Sequence, residues 1–214
     1  MRILLLDFPG LVASIFIGLV VILSSGEFML QNFTLLFLFL LISVAATKYR
    51  HSEKKEKGLY EHERGWSNVL SNGSVPALCC VQFYLTGSFA WIYAYICSLA
   101  AALGDKFGSE LGVLSEKPIS LANFKRVRPG TSGAISKLGT FMSFVGPLII
   151  ATIAYFLFNF RPIMIFVISL IGFIGSFADT IAGIFEERGI GTKGTSNIIC
   201  TLVGALLGYI LVIR

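Results

Sequence analysis

The sequence predicts an all-α fold, a polytopic transmembrane helix bundle of about seven spans with a cytoplasmic N-terminus. Three observations carry that prediction. Hydrophobic residues make up 55% of the 214 and charged residues only 14%, too little polar surface for a water-soluble domain. The apolar residues fall into runs of membrane-crossing length, which takes roughly 17–25 helical residues. Lys and Arg collect in alternate loops, as the cytoplasmic loops of membrane proteins do.

The spans are expected at about 3–23, 28–46, 69–85, 88–103, 135–158, 163–185 and 198–213, in one domain covering 1–214. The first run lacks a small-residue cleavage site and a second follows closely, so it reads as a span and not as a signal peptide. The middle pair needs an argument. As one helix, 69–103 is too long, and Thr86-Gly87-Ser88 interrupts it. Loop charge separates the two readings. Lys48, Arg50, Lys54, Lys55, Lys57 and Arg64 share a side with Lys106, Lys117, Lys125, Arg126, Arg128 and Lys137 only if two helices lie between them. Arg188 and Lys193 form a third basic set on that side. The rival is six spans with one long tilted helix. In the seven-span reading the cytoplasmic loops cover 47–67, 104–134 and 186–196, while the opposite connections are too short to build a site.

Several residues are expected to carry no chemistry. Cys79, Cys80, Cys97 and Cys200 lie in apolar runs without CxxC spacing and read as small core residues. His51 and His62 have no partner at ligand spacing. The segment 48–64 mixes both signs and reads as a solvated loop.

The polar stretches are more telling. RGWSNVLSNGS (64–74) opens the third span, with Asn68 and Asn72 four apart on one helical face. They either cap and turn the chain or form a polar lip for phosphate or sugar. GDKFGSELG (104–112) closes the fourth span, behind a small-residue stripe of Ala94, Ser98, Ala101 and Ala102 that lets another helix approach. Asp105 and Glu110 stand about 140° apart on an ideal helix. Either Gly108 breaks the helix and brings them together, or Glu110 pairs with Lys106 at i,i+4.

GFIGSFADTIAGIFEERG (172–189) repeats the device, with Gly172, Gly175, Ser176, Asp179 and Gly183 at helical spacing. Asp179 and Glu186 share a face and Glu187 turns away. Acids at a membrane boundary are costly and mark function. Two oxygen-rich helix ends facing each other suit Mg²⁺, which takes few carboxylates and completes its shell with phosphate oxygens. The expected metal ligands are Asp105, Glu110, Asp179 and Glu186.

FKRVRPGTSGAIS (124–136) joins Lys125, Arg126 and Arg128 to the turn Gly130-Thr131-Ser132-Gly133 just before a span. Free backbone N–H groups, hydroxyls and cations together suit phosphate, although the GK[ST] ending of a P-loop is missing. The rival is a basic loop attracted to anionic lipid. GIGTKGTSN (189–197) sets Lys193 and Asn197 at the start of the last span, either as a capped turn or as a mobile cation for a polyphosphate. Gly204 and Gly208 form GxxxG, the pattern of close helix packing.

Taken in order, RGWSNVLSNG, GDKFGSELG, VRPGTSGAIS, GSFADTIAG and the closing turn with Asn197 resemble the phytyl-phosphate kinase-like family (domain of unknown function 92, which includes transmembrane protein 19) over about residues 64–205. The resemblance implies a membrane kinase that converts an isoprenyl monophosphate to the diphosphate with CTP or another nucleoside triphosphate. The family usually has Thr after the first Asp, where this chain has Lys106.

The residues suit that reaction independently. An isoprenyl phosphate is already an anionic nucleophile, so the chemistry needs positioning and charge neutralisation instead of a base. Asp105, Glu110 and Asp179 are the expected catalytic acids, holding Mg²⁺ on the triphosphate. Lys125, Arg128, Lys193, Asn197 and the turn Gly130, Thr131 and Ser132 are expected on phosphates, with Asn68 and Asn72 orienting the acceptor. The expected partners are the lipid phosphate and the nucleotide, at a site facing the cytoplasm in the cell membrane, and no nucleic acid. Two rivals stand beside it. A prenol kinase would need Asp105 or Asp179 as a base, and a small transporter would place its polar residues near the bilayer midplane.

Overall fold

The computed structural model describes residues 6–56, 58, 65–115 and 117–213, and among them are long helices joined by tight turns, one short helix and one β-hairpin. Helix α1 (Phe8–Ser24) starts where Asp7 accepts from the Gly10 N–H at 2.7 Å and Pro9 presets the first turn. After a 3₁₀ turn comes α2 (Met29–Lys48), then the short α3 (His51–Glu56). Helices α4 (Trp66–Thr86) and α5 (Ala90–Gly112) are separate, because Gly87 takes the left-handed conformation (φ 65°) that ends a helix. Strands β1 (Ile119–Ser120) and β2 (Ala134–Ile135) pair antiparallel. Three more helices follow: α6 (Lys137–Phe158), α7 (Ile163–Glu187) and α8 (Lys193–Ile213).

Among the described residues, four helical stretches are long and apolar enough to cross a membrane: Gly26–Lys48, Lys137–Phe158, Ile163–Glu187 and Lys193–Leu211. Phe8–Ser24 is a shorter apolar helix. Helices α4 and α5 have comparable length, 21 and 23 residues, but carry Asn, Ser and charged side chains toward one end.

Helix α5 is the axis of the bundle. From Tyr95 to Leu103 no residue is more than 1% exposed. Its neighbours approach on glycine. A Cβ added at Gly204 would lie 2.6 Å from the Cys97 carbonyl oxygen, and one at Gly208 would lie 2.7 Å from that of Tyr93. The GxxxG of α8 and the small face of α5 therefore serve backbone-close packing, where any side chain would separate the helices. All four cysteines are buried and form no disulfide. Away from the polar end, the Tyr95 hydroxyl donates to the Asn32 carbonyl at 2.6 Å and ties α2 to the axis.

Two features depart from the sequence reading. Helix α5 continues through Gly108 to Gly112, so the expected loop 104–134 begins later. Gly108 is there for packing: a Cβ on it would collide with the Ser143 hydroxyl of α6. The segment read as a solvated loop forms α3, which buries Lys54 completely. Lys57, His62 and Arg64 lie outside the described residues.

Candidate functional site

Asp105 and Asp179 face each other because their helices touch one turn earlier. A Cβ on Gly175 would lie 2.5 Å from the Ala101 Cβ, so α5 and α7 meet there. Four residues further along each helix, on the same faces, stand Asp105 and Asp179. Lys193, in the first turn of α8, bridges them: its Nζ donates to Asp179 Oδ2 at 2.8 Å and to Asp105 Oδ1 at 3.5 Å. The acid side chains are 11% and 8% exposed, the lysine 42%. Among the described residues Asp179 Oδ1 is buried without a hydrogen-bond partner.

Around this trio lies a cavity of about 420 Å³. It sits where α4, α6 and α8 begin and α5 and α7 end, which gathers five separate stretches of sequence at one end of the bundle. Asn68 and Asn72 line it on a shared face, the Asn72 amide donating to the Asn68 carbonyl at 2.9 Å. Asn197 also lines it; its amide donates to Ser71 Oγ at 3.3 Å, and its Oδ1 has no partner among the described residues. Gly130, Thr131 and Ser132 supply the hairpin wall. Ser136, Ser143 and Thr180 add hydroxyls that the sequence reading missed.

The hairpin is held on α7 by a glycine pair and two acids. Gly133 takes φ 70°, and a Cβ on Gly183 would meet its nitrogen at 2.6 Å. Ser132 donates its N–H to Glu187 at 2.9 Å and its hydroxyl to Glu186 at 3.2 Å. Ser196 Oγ also donates to Glu186, at 3.4 Å. Glu187 thus pins the turn instead of facing away, and the Ser132 N–H expected for phosphate is already engaged.

Three further expectations need correction. Lys125 and Arg128 are exposed on the hairpin and do not line the cavity. Arg126 bridges Ile119 and the Val127 N–H donates to the Pro118 carbonyl, which holds this segment on the hairpin with Lys125, Arg126 and Arg128 all exposed. Glu110 reaches the cavity edge but does not join the aspartates. Its Oε1 accepts from Thr47 at 2.7 Å and pairs with Lys106 at 2.8 Å, while its Oε2 pairs with Lys54 at 2.9 Å. The unbroken helix keeps it off the Asp105 face. Nor are the four carboxylates gathered: among the described residues no three His, Cys, Asp or Glu side chains come together as a metal cluster. Lys54 and Thr47, the partners of Glu110, are 56 and 63 residues away in sequence, a separation that no local pattern signals.

Several apolar helices define a multi-pass membrane protein, and its acids meet in a polar cavity at one end of the bundle. The chain belongs to the family described as integral membrane protein DUF92, whose model matches residues 1–205. It is 35% identical over 209 residues to an uncharacterized membrane protein of Methanocaldococcus jannaschii, covering 96% of this chain and 85% of that one. It is 26% identical to Protein VTE6, chloroplastic, of Arabidopsis thaliana, over 97% of this chain and 64% of the relative. A shorter match, 32% identical over 49% of this chain and 43% of the relative, is to Protein PGR of the same plant. No solved structure matches the chain.

Proposed function

We propose that the protein is a membrane isoprenyl-phosphate kinase, moving a phosphoryl group from CTP or another nucleoside triphosphate to a phytyl- or geranylgeranyl-type monophosphate. The observation that carries this is the meeting of Asp105, Asp179 and Lys193 in a hydroxyl- and amide-lined cavity at one end of an apolar bundle. The motif resemblance to the phytyl-phosphate kinase-like family supports the choice of acceptor. All seven long helices cross the bilayer in this reading, with the N-terminus and the cavity on the cytoplasmic side. The loop charge supports that orientation.

A phosphate oxygen of the acceptor attacks the γ-phosphorus, the bond to the β-phosphate bridging oxygen breaks, and the nucleoside diphosphate leaves. The acceptor is already anionic, so no residue has to remove a proton. Asn68 and Asn72 orient it with side-chain N–H groups. Lys193 is exposed enough to turn its ammonium from the carboxylates onto the phosphates as charge shifts to the leaving group. Asp105 and Asp179 would hold Mg²⁺, and the donor set fits: two neighbouring carboxylates, one with an unpartnered buried oxygen, leave the remaining positions to water and phosphate. Bound there, Mg²⁺ would neutralise triphosphate charge.

The test is purified protein with labelled CTP or other nucleotides and geranylgeranyl or phytyl phosphate, with the free alcohols in parallel. Diphosphate product that disappears in Asp105→Asn and Asp179→Asn is the expected result. No product with any nucleotide, or full activity in both variants, refutes the proposal. Product from the alcohols alone would make it a prenol kinase.

A further inference from the structure

Beside the polar cavity lies a second one, a groove of about 380 Å³ between α1, α2 and α4. Its walls are apolar: Ile15, Leu19 and Ile22 on α1, with Phe33, Phe37 and Leu40 on α2. Three residues line both spaces, and all three are polar: Asn68, Asn72 and Lys106. Lys106 is held at this junction by its 2.8 Å contact with Glu110, which in turn is anchored by Lys54 and Thr47.

We propose that this groove seats the isoprenoid chain of the acceptor, its phosphate held at the junction by Asn68, Asn72 and Lys106. The inference rests on the isoprenyl-phosphate reading above and adds where the lipid lies. Continuity is the first ground: a ligand filling both spaces has an apolar tail and an anionic head. Charge complementarity is the second, since the junction offers one cation and two amides to a phosphate. Dimension is the third. From Leu11 to Ile22, both on the wall, α1 rises about 16 Å, roughly half of a ~30 Å hydrocarbon core. Ile15, Leu19 and Phe37 are also 55%, 50% and 45% exposed, so the groove opens sideways where a bilayer lipid would enter. Gly18 keeps it wide: a Cβ there would meet only the Phe33 ring, at 3.9 Å.

The test is photolabelling of the full chain in phosphatidylcholine nanodiscs, without nucleotide, by geranylgeranyl monophosphate carrying a terminal diazirine. Adducts are expected on α1 and α2, suppressed by excess unlabelled geranylgeranyl phosphate but not by phosphatidic acid. Gly18→Phe and, independently, Leu40→Trp should each cut labelling at least tenfold, read on protein that elutes as wild type does. Adducts on α6 to α8, equal displacement by phosphatidic acid, or undiminished labelling of both folded variants would overturn the inference. The readout is separate from turnover. Active protein labelled elsewhere sinks only this inference, and labelled protein without diphosphate product sinks only the kinase reading.

Discussion

Replacing Glu110 by Gln separates a strut from a metal ligand. Glu110 is 5% exposed and Lys54 is fully buried, and their contact is 2.9 Å. Lys106 and Thr47 complete the set at 2.8 and 2.7 Å. Breaking a buried ion pair by removing one partner costs about 3–5 kcal/mol, because the remaining charge stays desolvated. The lower end applies here. The Lys54 ammonium keeps the Thr47 carbonyl at 2.7 Å and that of Ala46 at 3.2 Å, and Lys106 is 12% exposed. Glu110→Gln should therefore lose about 3 kcal/mol, measured by reversible detergent unfolding followed through tryptophan fluorescence. Lys54→Met should lose a similar amount, and the Lys54→Met/Glu110→Gln pair less than the sum, with a coupling energy of about 2 kcal/mol. Glu110→Gln with wild-type stability and no turnover would refute the reasoning and return Glu110 to the metal.

Other outcomes follow from the same geometry. Asp105→Asn and Asp179→Asn should each lower kcat by about 100-fold or more, with an unfolding midpoint near wild type; a midpoint collapse would mark them as structural. Lys193→Met should raise KM for the nucleotide about tenfold, the worth of one charge-assisted hydrogen bond, and an unchanged KM counts against its phosphate role. Gly204→Val places its Cβ 2.6 Å from the Cys97 carbonyl oxygen, backbone that cannot yield. It should cost about 3 kcal/mol or more in the same unfolding assay, and a neutral result would contradict the α5–α8 contact. Gly133→Val combines φ 70° with a 2.8 Å approach to the Ile184 nitrogen. Limited proteolysis should then cut the 117–135 hairpin faster than in wild type, and equal rates would show that the tip is not docked on α7.

Helix positions were legible because apolar runs and turn residues are local signals. Gly87 between α4 and α5 and the glycines of α7 and α8 did what their spacing predicts. Asp105, Asp179, Asn68, Asn72 and Lys193 could be picked out from sequence, since polar groups at the ends of apolar helices stand out against their surroundings. Which of them meet was a different matter. Of the two alternatives at Gly108, the helix runs on unbroken and Glu110 pairs with Lys106 at 2.8 Å, an outcome the sequence left open. Two further partners of Glu110 are distant in sequence: Thr47 at the end of α2, and Lys54 on α3, in a segment whose mixed charges looked solvated. Lys125 and Arg128 had the right chemistry, yet the fold leaves both exposed on the hairpin and outside the cavity lining. What the sequence by itself determined was an apolar helical bundle with its polar residues at one end, because burial and helix periodicity act on near neighbours. The tertiary structure decided which acids share a cavity and which is clamped by cations, because contacts across 56 or 88 residues depend on how the helices pack.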